Sequence, residues 1–471
     1  MAREAVFMLL QNPLNTRAFR PEETAVGAVE HSAARAGWVT RITDYVPAAR
    51  SGDDWRNEGS SEGNKEFSWY SDDPEDLTNE HAGTRFLMYS MHGFTAPVMR
   101  WMRLYLYHQA VGATRHIRVG VFNRDGSKPI RAGGAIIRPV SGTEIIAGSE
   151  AGRLTMARMA ALSLHRAGDI GNATHGDVES HHFESPVMST AGWHTIETVT
   201  APAGRMLHRI YELYIEPAPA GPSSLYYVCA YTVPSATGDN LEIPAIGGTW
   251  DPGRPQLIWP SDGRWRYGLY RYSLLRQSLD TISWPPAQPP SVFVAQISHR
   301  RHSLGEPPAA GDAAVLGEVL GSPARENSIY GGHTAAPLRG NYPAWTEMTL
   351  TFDNTSRRVR LVQVWVDGLF WQGLQPYYWG AVTLRQHSTG CHNYGLQAGD
   401  TAVIPPIRAN APGSEEHESS ALIDCFTAWE QHTVTRTYRF MHGGGAILPV
   451  ALFVDARAPG RPWREVGFPT S

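Results

Sequence analysis

The residues best suited to chemistry lie in one short polar segment, HGDVESHHFE, at residues 175–184. Imidazole and carboxylate side chains such as these bind Zn²⁺, Mn²⁺ or Fe²⁺ in many proteins. The candidate ligands are His175, Asp177, Glu179, His181, His182 and Glu184. Their spacing matches no fixed pattern such as H-E-x-x-H. The segment therefore indicates either the metal site of an enzyme or a solvated polar loop.

A second polar segment, SDDPEDLTNE at residues 71–80, is rich in carboxylates. Hard oxygen ligands at short spacing are what Ca²⁺ requires. The acidic residues are Asp72, Asp73, Glu75, Asp76 and Glu80. Because the segment lacks the glycine and the terminal glutamate of an EF-hand loop, an acidic turn is the simpler interpretation, and calcium binding is the alternative.

A third segment, HSTGCHNYG, places His387, Cys391, His392 and Asn393 close together in the chain. Cysteine, histidine and asparagine are the residue types used in thiol catalysis. Adjacent residues on a strand point to opposite faces, so Cys391 and His392 are not expected to act as a pair. We interpret the segment as a hairpin loop, with catalysis as the alternative.

Aromatic and arginine residues are concentrated between residues 250 and 284. Exposed aromatic rings can stack on sugar faces or, beside arginine, on nucleic-acid bases. The same composition suits packing between domains or a subunit interface. The candidate binding residues are Trp250, Trp259, Arg264, Trp265, Arg266, Tyr267 and Tyr270. Inter-domain packing is the favoured interpretation, followed by glycan binding and then a protein interface.

Other common functional signatures are missing from the sequence. It contains no G-x-S-x-G, no P-loop, no dinucleotide fingerprint and no C-x-x-C. The formal charge of -4 gives no electrostatic case for nucleic-acid binding over the whole surface. The paired acids of a glycosidase need only meet in space, so the sequence does not exclude them. These observations favour a protein that is not an enzyme, and we predict no catalytic residues and no cofactor.

The three cysteines are Cys229, Cys391 and Cys425, and they indicate no disulfide framework. Cys229 lies in an apolar strand and is expected to be a buried free thiol, whereas Cys391 and Cys425 could pair. The apolar stretch at the N-terminus is shorter than that of a secretory signal, and no run reaches the ~20 residues of a membrane span. We expect no membrane span, and either no signal peptide or one already removed.

The elements that must position these residues are mostly strands. In residues 102–107, Met102, Leu104 and Leu106 alternate with polar and aromatic residues, which predicts a half-buried strand. One helix is predicted at 150–167, with Ser149 at its start and Gly168 at its end. A second, short helix is predicted at 312–320. The polar residues 169–190 are predicted to form a loop.

Two stretches of the chain resemble each other. Residues 101–126 and 345–368 both begin with Trp, continue as an alternating strand, turn at a Thr and end a second strand in Asp-Gly. Aligned without a gap from the turn onward, the copies place Arg115 opposite Arg357 and Arg118 opposite Arg360. Because the copies lie about 240 residues apart, they indicate two domains of one topology rather than a solenoid.

Frequent turns and alternating strands favour an all-β fold, since the chain has 46 glycines and 34 prolines. We predict two antiparallel, jelly-roll-like β-sandwiches related by internal duplication, with few short helices. The domains are expected at 1–235, which includes a wrapping N-terminal segment, and at 291–471. An aromatic and proline-rich joint is expected at 236–290.

Several pieces of the chain resemble a family of uncharacterised, mostly predicted-secreted proteins common in cyanobacteria. They are RLYLYHQAVGATRHIRVGVFN, AGSEAGRLTMARM, TAPAGRMLHRIYEL and LRGNYPAWTEMTLTFDNTSRRVRL. The resemblance covers roughly residues 84–235 and 290–455. It implies paired β-sandwiches and an extracytoplasmic setting, and it assigns no site.

The function that these patterns favour is that of a non-catalytic structural or surface-assembly protein. Its expected partners are copies of itself or another surface protein, at an extracellular position or on the surface of a cell or particle. A carbohydrate-binding or carbohydrate-active protein that uses the aromatic joint is the first alternative. A metal-dependent enzyme built on residues 175–184 is the second, with zinc or calcium as the candidate ions.

Overall fold

The computed structural model describes most of the chain between residues 67 and 457. The described residues are 44–47, 67–72, 74–83, 85–93, 100–125, 127–165, 172–218, 225–237, 267–270, 272–278, 282–283, 292–297, 345–357, 359–367, 377–408, 420–444 and 450–457. The second predicted helix, at 312–320, lies outside them. Within the described residues strands predominate, so the predicted all-β class is confirmed.

The first half of the chain forms strands joined mostly by short turns. They are β1 Asp44–Pro47, β2 Phe67–Ser71, β3 Asp76–Leu77, β4 Arg85–Gly93, β5 Arg100–Ala110, β6 Arg115–Asn123, β7 Ile130–Pro139, β8 Ala173–His175, β9 Val178–Glu184, β10 Gly192–Ala201, β11 Met206–Pro217 and β12 Leu225–Val233. A 3-10 helix, Asn79–His81, precedes β4, and helix α1, Glu150–His165, lies between β7 and β8.

The second half continues in the same manner. Its strands are β13 Tyr267–Tyr270, β14 Tyr272–Ser278, β15 Ile282–Ser283, β16 Val292–Ile297, β17 Trp345–Asn354, β18 Arg360–Asp367, β19 Tyr377–His387, β20 Cys391–Asn393, β21 Thr401–Arg408, β22 Ser420–Ala428, β23 His432–His442 and β24 Val450–Arg457. Among the described helices, none has the length and apolar character needed to cross a membrane.

These strands form four sheets. The first outer sheet has the order β10-β6-β12-β4, and the first central sheet has the order β13-β2-β5-β11-β7-β9-β8, with β3 also paired to β5. The second central sheet has the order β1-β14-β17-β23-β19-β21, with β15 paired to β17, and the second outer sheet has the order β16-β24-β18-β22-β20. Each outer sheet packs on a central sheet through a shared apolar core.

The two central sheets also face each other, which changes the environment of β5. Met102, Leu104 and Leu106 point into the core that the first outer and first central sheets share, as the alternation predicts. Tyr105 and Tyr107, on the opposite face, belong to the core that continues through α1 into the second central sheet. The strand is therefore buried on both faces, and the prediction of a half-buried strand is wrong because a second sheet covers its other side.

Helix α1 fills part of the space between the central sheets. Its start is fixed by Ser149, whose Oγ accepts a hydrogen bond from the backbone N–H of Gly152 at 2.9 Å. Met156, Met159 and Ala160 are buried against residues of both sheets, which is typical of a helix that is apolar on most of its circumference. The helix and its N-terminal cap lie where the sequence predicts them, and Gly168, the predicted end of the helix, lies outside the described residues.

Of residues 169–190, which are predicted to form a loop, 172–190 are described, and they contain two strands. Strands β8 and β9 form a hairpin at the edge of the first central sheet, where β9 pairs antiparallel with β7. Val178 and Ser180 are buried at alternate positions while His181 and His182 are exposed. An edge strand tolerates polar side chains on both faces, and for this reason its composition resembles that of a loop.

The two copies of the sequence repeat lie on corresponding strands, β5–β6 and β17–β18. The turn at 355–359 is one residue longer than the turn at 111–114. Ile117 and Val119 face the first core, and the matching inward residues of β18 are Val362 and Val364. The gap-free alignment is therefore wrong by an odd number of residues, and Arg115 corresponds to Arg360 rather than to Arg357.

The predicted joint contains strands that belong to different sheets. Strand β13 pairs antiparallel with β2 in the first central sheet. Strand β14, which begins two residues after β13 ends, pairs parallel with β17 and antiparallel with β1 in the second central sheet. The chain thus crosses between the central sheets within this segment.

Candidate functional site

Of the predicted aromatic binding residues, the structure places two. Tyr267 and Tyr270 are the first and last residues of β13, at the edge of the first central sheet. The other members of the set lie outside the described residues. They are Trp250, Trp259, Arg264, Trp265 and Arg266.

The acidic members of the candidate metal segment form ion pairs with arginine. Asp177 accepts hydrogen bonds from Arg158 at 2.8 Å and from Thr155. Glu179 accepts one from the Nε of Arg138 at 2.9 Å, and Glu184 pairs with Arg131. These pairs engage the carboxylates at separate places along the hairpin.

The histidines of the same segment are also separated. His181 and His182 are exposed on β9, and His175, on β8, is half-buried, which lowers the pKa of its imidazole. In the part of the chain that the structure describes, no three His, Cys, Asp or Glu side chains are arranged to hold a metal ion. Zinc or calcium binding therefore stays a prediction without geometric support.

The acidic segment 71–80 forms structure of several kinds. Asp72 is fully buried beside the end of β2, Asp76 begins β3, and Glu80 lies in the 3-10 helix. The backbone carbonyl of Glu75 accepts a hydrogen bond from the backbone N–H of Gln109 at 2.6 Å. Asp73 lies outside the described residues, and the other acidic residues are spread from the end of β2 to the 3-10 helix.

The segment at residues 387–395 brings Cys391, His387 and Asn393 close together. His392, the neighbour of Cys391 in the chain, is not part of this group. Cys391 Sγ lies 4.0 Å from His387 Nδ1 and 3.6 Å from Asn393 Oδ1. Asn393 Oδ1 also accepts a hydrogen bond from buried Arg436 at 2.6 Å. Residues 388–390 of the segment form a loop, as predicted, whereas 391–393 form strand β20.

The hydrogen bonds around His387 determine whether its imidazole can act as a base for Cys391. Its Nδ1 lies 3.0 Å from the carbonyl oxygen of Ser388, which can only accept, so Nδ1 carries the proton. Its Nε2 then accepts from the amide of Asn393 at 3.2 Å. Neither ring nitrogen is available as a base for Cys391. Burial raises the pKa of the Cys391 thiol, and Arg436 opposes that rise only in part. The arrangement is suited to structure, not to thiol catalysis.

All three cysteines are free thiols. Cys391 lies opposite Ala428 in the pairing of β20 with β22, and Cys425 lies three residues away along β22. Cys229 is buried, as its apolar strand predicts.

A buried polar cluster that the sequence does not predict lies between the two central sheets. We call this cluster the central interface. It consists of Arg103 and Glu212 from the first central sheet, and of Trp345, Glu347 and Arg439 from the second. Arg103 Nε donates to Glu212 Oε1 at 2.8 Å, and Arg439 Nε donates to Glu347 Oε2 at 3.1 Å. Both arginines are almost completely buried.

The two ion pairs occupy matching positions relative to the repeat tryptophans, but the arginine and the glutamate have exchanged places. Arg103 lies two residues after the Trp that begins the first repeat copy, and Glu347 lies two residues after Trp345. Each is directly opposite its ionic partner in the strand register. An arginine on β5 therefore stands at the repeat position that a glutamate occupies on β17. Each charge is neutralised by a partner within its own sheet.

The ring of Trp345 contacts the arginines of both ion pairs, one from each central sheet. The guanidinium carbon of Arg103 lies 4.1 Å from its ring centroid, and that of Arg439 lies 5.1 Å away. Helix α1 contributes Ser163, whose Oγ donates to Glu212 Oε1 at 2.7 Å. Burial raises the pKa of the Glu212 carboxyl, and Arg103 opposes that rise.

A buried histidine lies on the same face of β11. His208 is fully buried, and its Nδ1–H donates to the carbonyl oxygen of Leu106 at 2.5 Å. The rings of Tyr105 and Tyr107 pack against it, with centroids 4.8 and 5.8 Å away. Burial lowers the pKa of this imidazole to about 3, so it is neutral at physiological pH.

Comparison of the sequence with known protein families and with curated proteins gave no match. The fold and the central interface define an all-β protein whose two halves meet through buried contacts, among them the guanidinium of Arg103 over the ring of Trp345. The resemblance to a family of predicted-secreted proteins stays a prediction.

Proposed function

We propose that this chain is a non-catalytic structural protein that assembles with copies of itself, or with another surface protein, into a shell or surface layer. Its building blocks are two jelly-roll sandwiches related by internal duplication. Its setting is extracellular or on the surface of a cell or particle.

The strand order is the observation that carries the proposal. Eight strands of the first half form two four-stranded sets, β10-β6-β12-β4 and β5-β11-β7-β9. Eight strands of the second half form β22-β18-β24-β16 and β17-β23-β19-β21. Numbered by their rank in each half, both read 6-3-8-1 and 2-7-4-5. This alternation between two four-stranded sheets is the jelly-roll arrangement, and its recurrence supports duplication.

Jelly rolls occur in viral capsid subunits, in lectin domains and in cupins. A cupin-like enzyme needs an open cavity with metal ligands between its sheets. Here the space between the first outer and first central sheets is filled by fully buried apolar residues such as Leu104, Ile117, Val119, Leu213 and Val228. That packing favours a structural role over catalysis inside the sandwich, whereas the fold alone would not decide between them.

The central interface supports the same role. In a shell built from two-domain subunits, neighbouring subunits contact both domains. Such a subunit must therefore hold its two domains in one orientation. Each buried ion pair lies within one central sheet and holds its arginine in place. The guanidinium of Arg103 then stacks on the ring of Trp345, and this directional contact links the two sheets.

Electron microscopy of the purified protein, negatively stained after concentration, tests the proposal. We expect closed particles or regular sheets with a repeating unit. A field of separate molecules at every concentration and salt condition, together with turnover of any substrate, would contradict it.

A further inference from the structure

Three loops meet at one end of the second sandwich and present a single exposed tryptophan. They are residues 355–357 after β17, 388–390 between β19 and β20, and 429–431 between β22 and β23. The side chain of Trp429 is 46% exposed. Among the described residues, the other large exposed apolar side chains are Ile146 and Val187, and both belong to the first half of the chain.

The backbone of Trp429 is fixed from both neighbouring loops. Its N–H donates to the carbonyl oxygen of Gly390 at 3.0 Å. The side-chain amide of Asn354 donates to the carbonyl oxygens of Ala428 and Trp429, at 3.1 and 2.9 Å. The N–H of Gln431 donates to the carbonyl oxygen of Ser356 at 3.2 Å. The loop is therefore ordered although its tryptophan side chain is half exposed.

The indole ring is also oriented. The ring of His432 meets it edge-on, with centroids 5.8 Å apart and planes at 84°. A side chain at Gly390 would collide with His432, whose Cδ2 would lie 2.9 Å from the added Cβ. Gln431 has a φ of 55°, a left-handed conformation that non-glycine residues rarely adopt. Strained backbone of this kind is often found where a protein positions a binding group.

The corresponding loop of the first sandwich lacks these features. Strands β10 and β11 correspond to β22 and β23 in the order of strands. Their connection is the four residues Pro202, Ala203, Gly204 and Arg205, which include no aromatic side chain. The duplicated fold therefore does not require a tryptophan at this turn.

We propose that Trp429 is the stacking platform of a carbohydrate-binding site formed by these loops. The apolar face of a sugar ring packs on the indole, and the exposed polar residues around it, which include Arg357, Glu430 and Gln431, bind the hydroxyl groups. Because the platform is held in place before binding, little conformational entropy is lost when the sugar arrives.

A sugar suits this surface better than a protein partner does. A stable protein interface buries about 800 Å² on each partner around an apolar core. Here the three loops carry one exposed indole ring, and the exposed residues beside it, in the loops or next to them, are polar: Thr355, Thr389, Glu430, Gln431 and Thr433. One aromatic ring within a polar rim matches the apolar face and hydroxyl edge of a single sugar unit.

The test uses the full chain in whatever state of assembly it adopts, so its outcome does not depend on the proposed shell. Saturation-transfer NMR is recorded with maltohexaose, cellohexaose, chitohexaose, mannohexaose, xylohexaose and sialyllactose. We expect at least one of these sugars to bind. Trp429→Ala should weaken that binding at least about tenfold, Trp429→Tyr should preserve most of it, and Val187→Ala, an exposed apolar control, should leave it unchanged.

Circular dichroism and the thermal midpoint establish that each variant is folded. Binding of none of the six sugars would overturn the proposal. So would a sugar that binds Trp429→Ala as tightly as the wild type. If Trp429→Ala leaves sugar binding intact and reduces the native mass, the tryptophan is a protein contact, and the carbohydrate site is likewise overturned.

Discussion

The guanidinium group of Arg103 lies over the ring of Trp345, 4.1 Å from its centroid, and joins the two sandwiches of this protein. Arg103 comes from the first central sheet and Trp345 from the second. Arg103 lies on β5 and Trp345 on β17, the strands that carry the two copies of the sequence repeat.

Removing Arg103 should strongly destabilise the protein. In Arg103→Met, Glu212 keeps its buried position but loses its ionic partner. Loss of one member of a buried ion pair costs about 3–5 kcal/mol, because the remaining charge is uncompensated. The free energy of unfolding, measured by urea titration, should fall by that amount, and Arg103→Met combined with Glu212→Met should recover a large part of it.

The matched control is the exposed ion pair of Arg131, whose side chain is 39% exposed. Arg131→Ala should change the free energy of unfolding by less than about 1 kcal/mol. If the two substitutions have equal and small effects, the central interface does not hold the sandwiches together.

His208 should make the protein less stable in acid. Its native pKa of about 3 lies below its unfolded value of 6.5, so the unfolded state takes up a proton first as the pH falls. The stabilisation is complete above pH 6.5 and is lost progressively toward pH 3. Between pH 7 and pH 4.5 this one residue should lower the free energy of unfolding by roughly 1–3 kcal/mol.

The comparison is with His208→Asn, whose amide can still donate to the carbonyl oxygen of Leu106. This variant should show a shallower loss of stability between pH 7 and pH 4.5. The exposed residue His182 provides the control, since His182→Asn should leave the slope unchanged. Equal slopes for the wild type and His208→Asn would contradict the neutral, buried state of His208.

The cysteines should differ in reactivity although none is activated. Cys391 is half-buried, whereas Cys229 and Cys425 are buried, and burial raises the pKa of all three thiols. Iodoacetamide should therefore label Cys391 first and slowly at pH 7.5, because little thiolate is present. The other two should react only after denaturation. Mass spectrometry of the labelled peptides measures the extent of labelling at each cysteine, with Cys391→Ser as the control. A disulfide between Cys391 and Cys425 would contradict the structure.

Asn354 should be important for the stability of the second sandwich. Its amide bridges to the carbonyl oxygens of Ala428 and Trp429 in a fully buried position. Asn354→Ala leaves these acceptors without their donor, which should cost about 1–3 kcal/mol. Asn172 is exposed, so Asn172→Ala should change the free energy of unfolding by less than about 0.5 kcal/mol. Thermal and urea unfolding of both variants gives the comparison.

The sequence predicts a strand well where apolar and polar side chains alternate, and it predicts the start of a helix well where a capping residue is present. Met102, Leu104 and Leu106 define one face of β5, and Ser149 marks the start of α1. The polarity of residues 169–190 predicts a loop, although 173–184 form a hairpin, because strands at a sheet edge do not need an apolar face. The alternation on β5 could not show that Tyr105 and Tyr107 face a second sheet, since burial of that face depends on a distant part of the chain.

The central interface could not be predicted because its partners are far apart in the chain. Arg103 and Glu212 are separated by 109 residues. A signal was nevertheless present, because Arg103 and Glu347 follow the two repeat tryptophans at the same distance. Because residues two apart on a strand point to the same face, both charged residues share a face with the repeat tryptophans. The Trp429 loop gave no such signal, since its exposure and its fixed backbone arise from three loops together.

The mass of the native particle, measured by light scattering at two concentrations, tests the proposed assembly most directly. If the protein assembles into a shell or surface layer, the mass should be a multiple of 51.9 kDa and should increase with concentration until the assembly is complete. A constant mass of one chain at both concentrations, in low and in physiological salt, would contradict it.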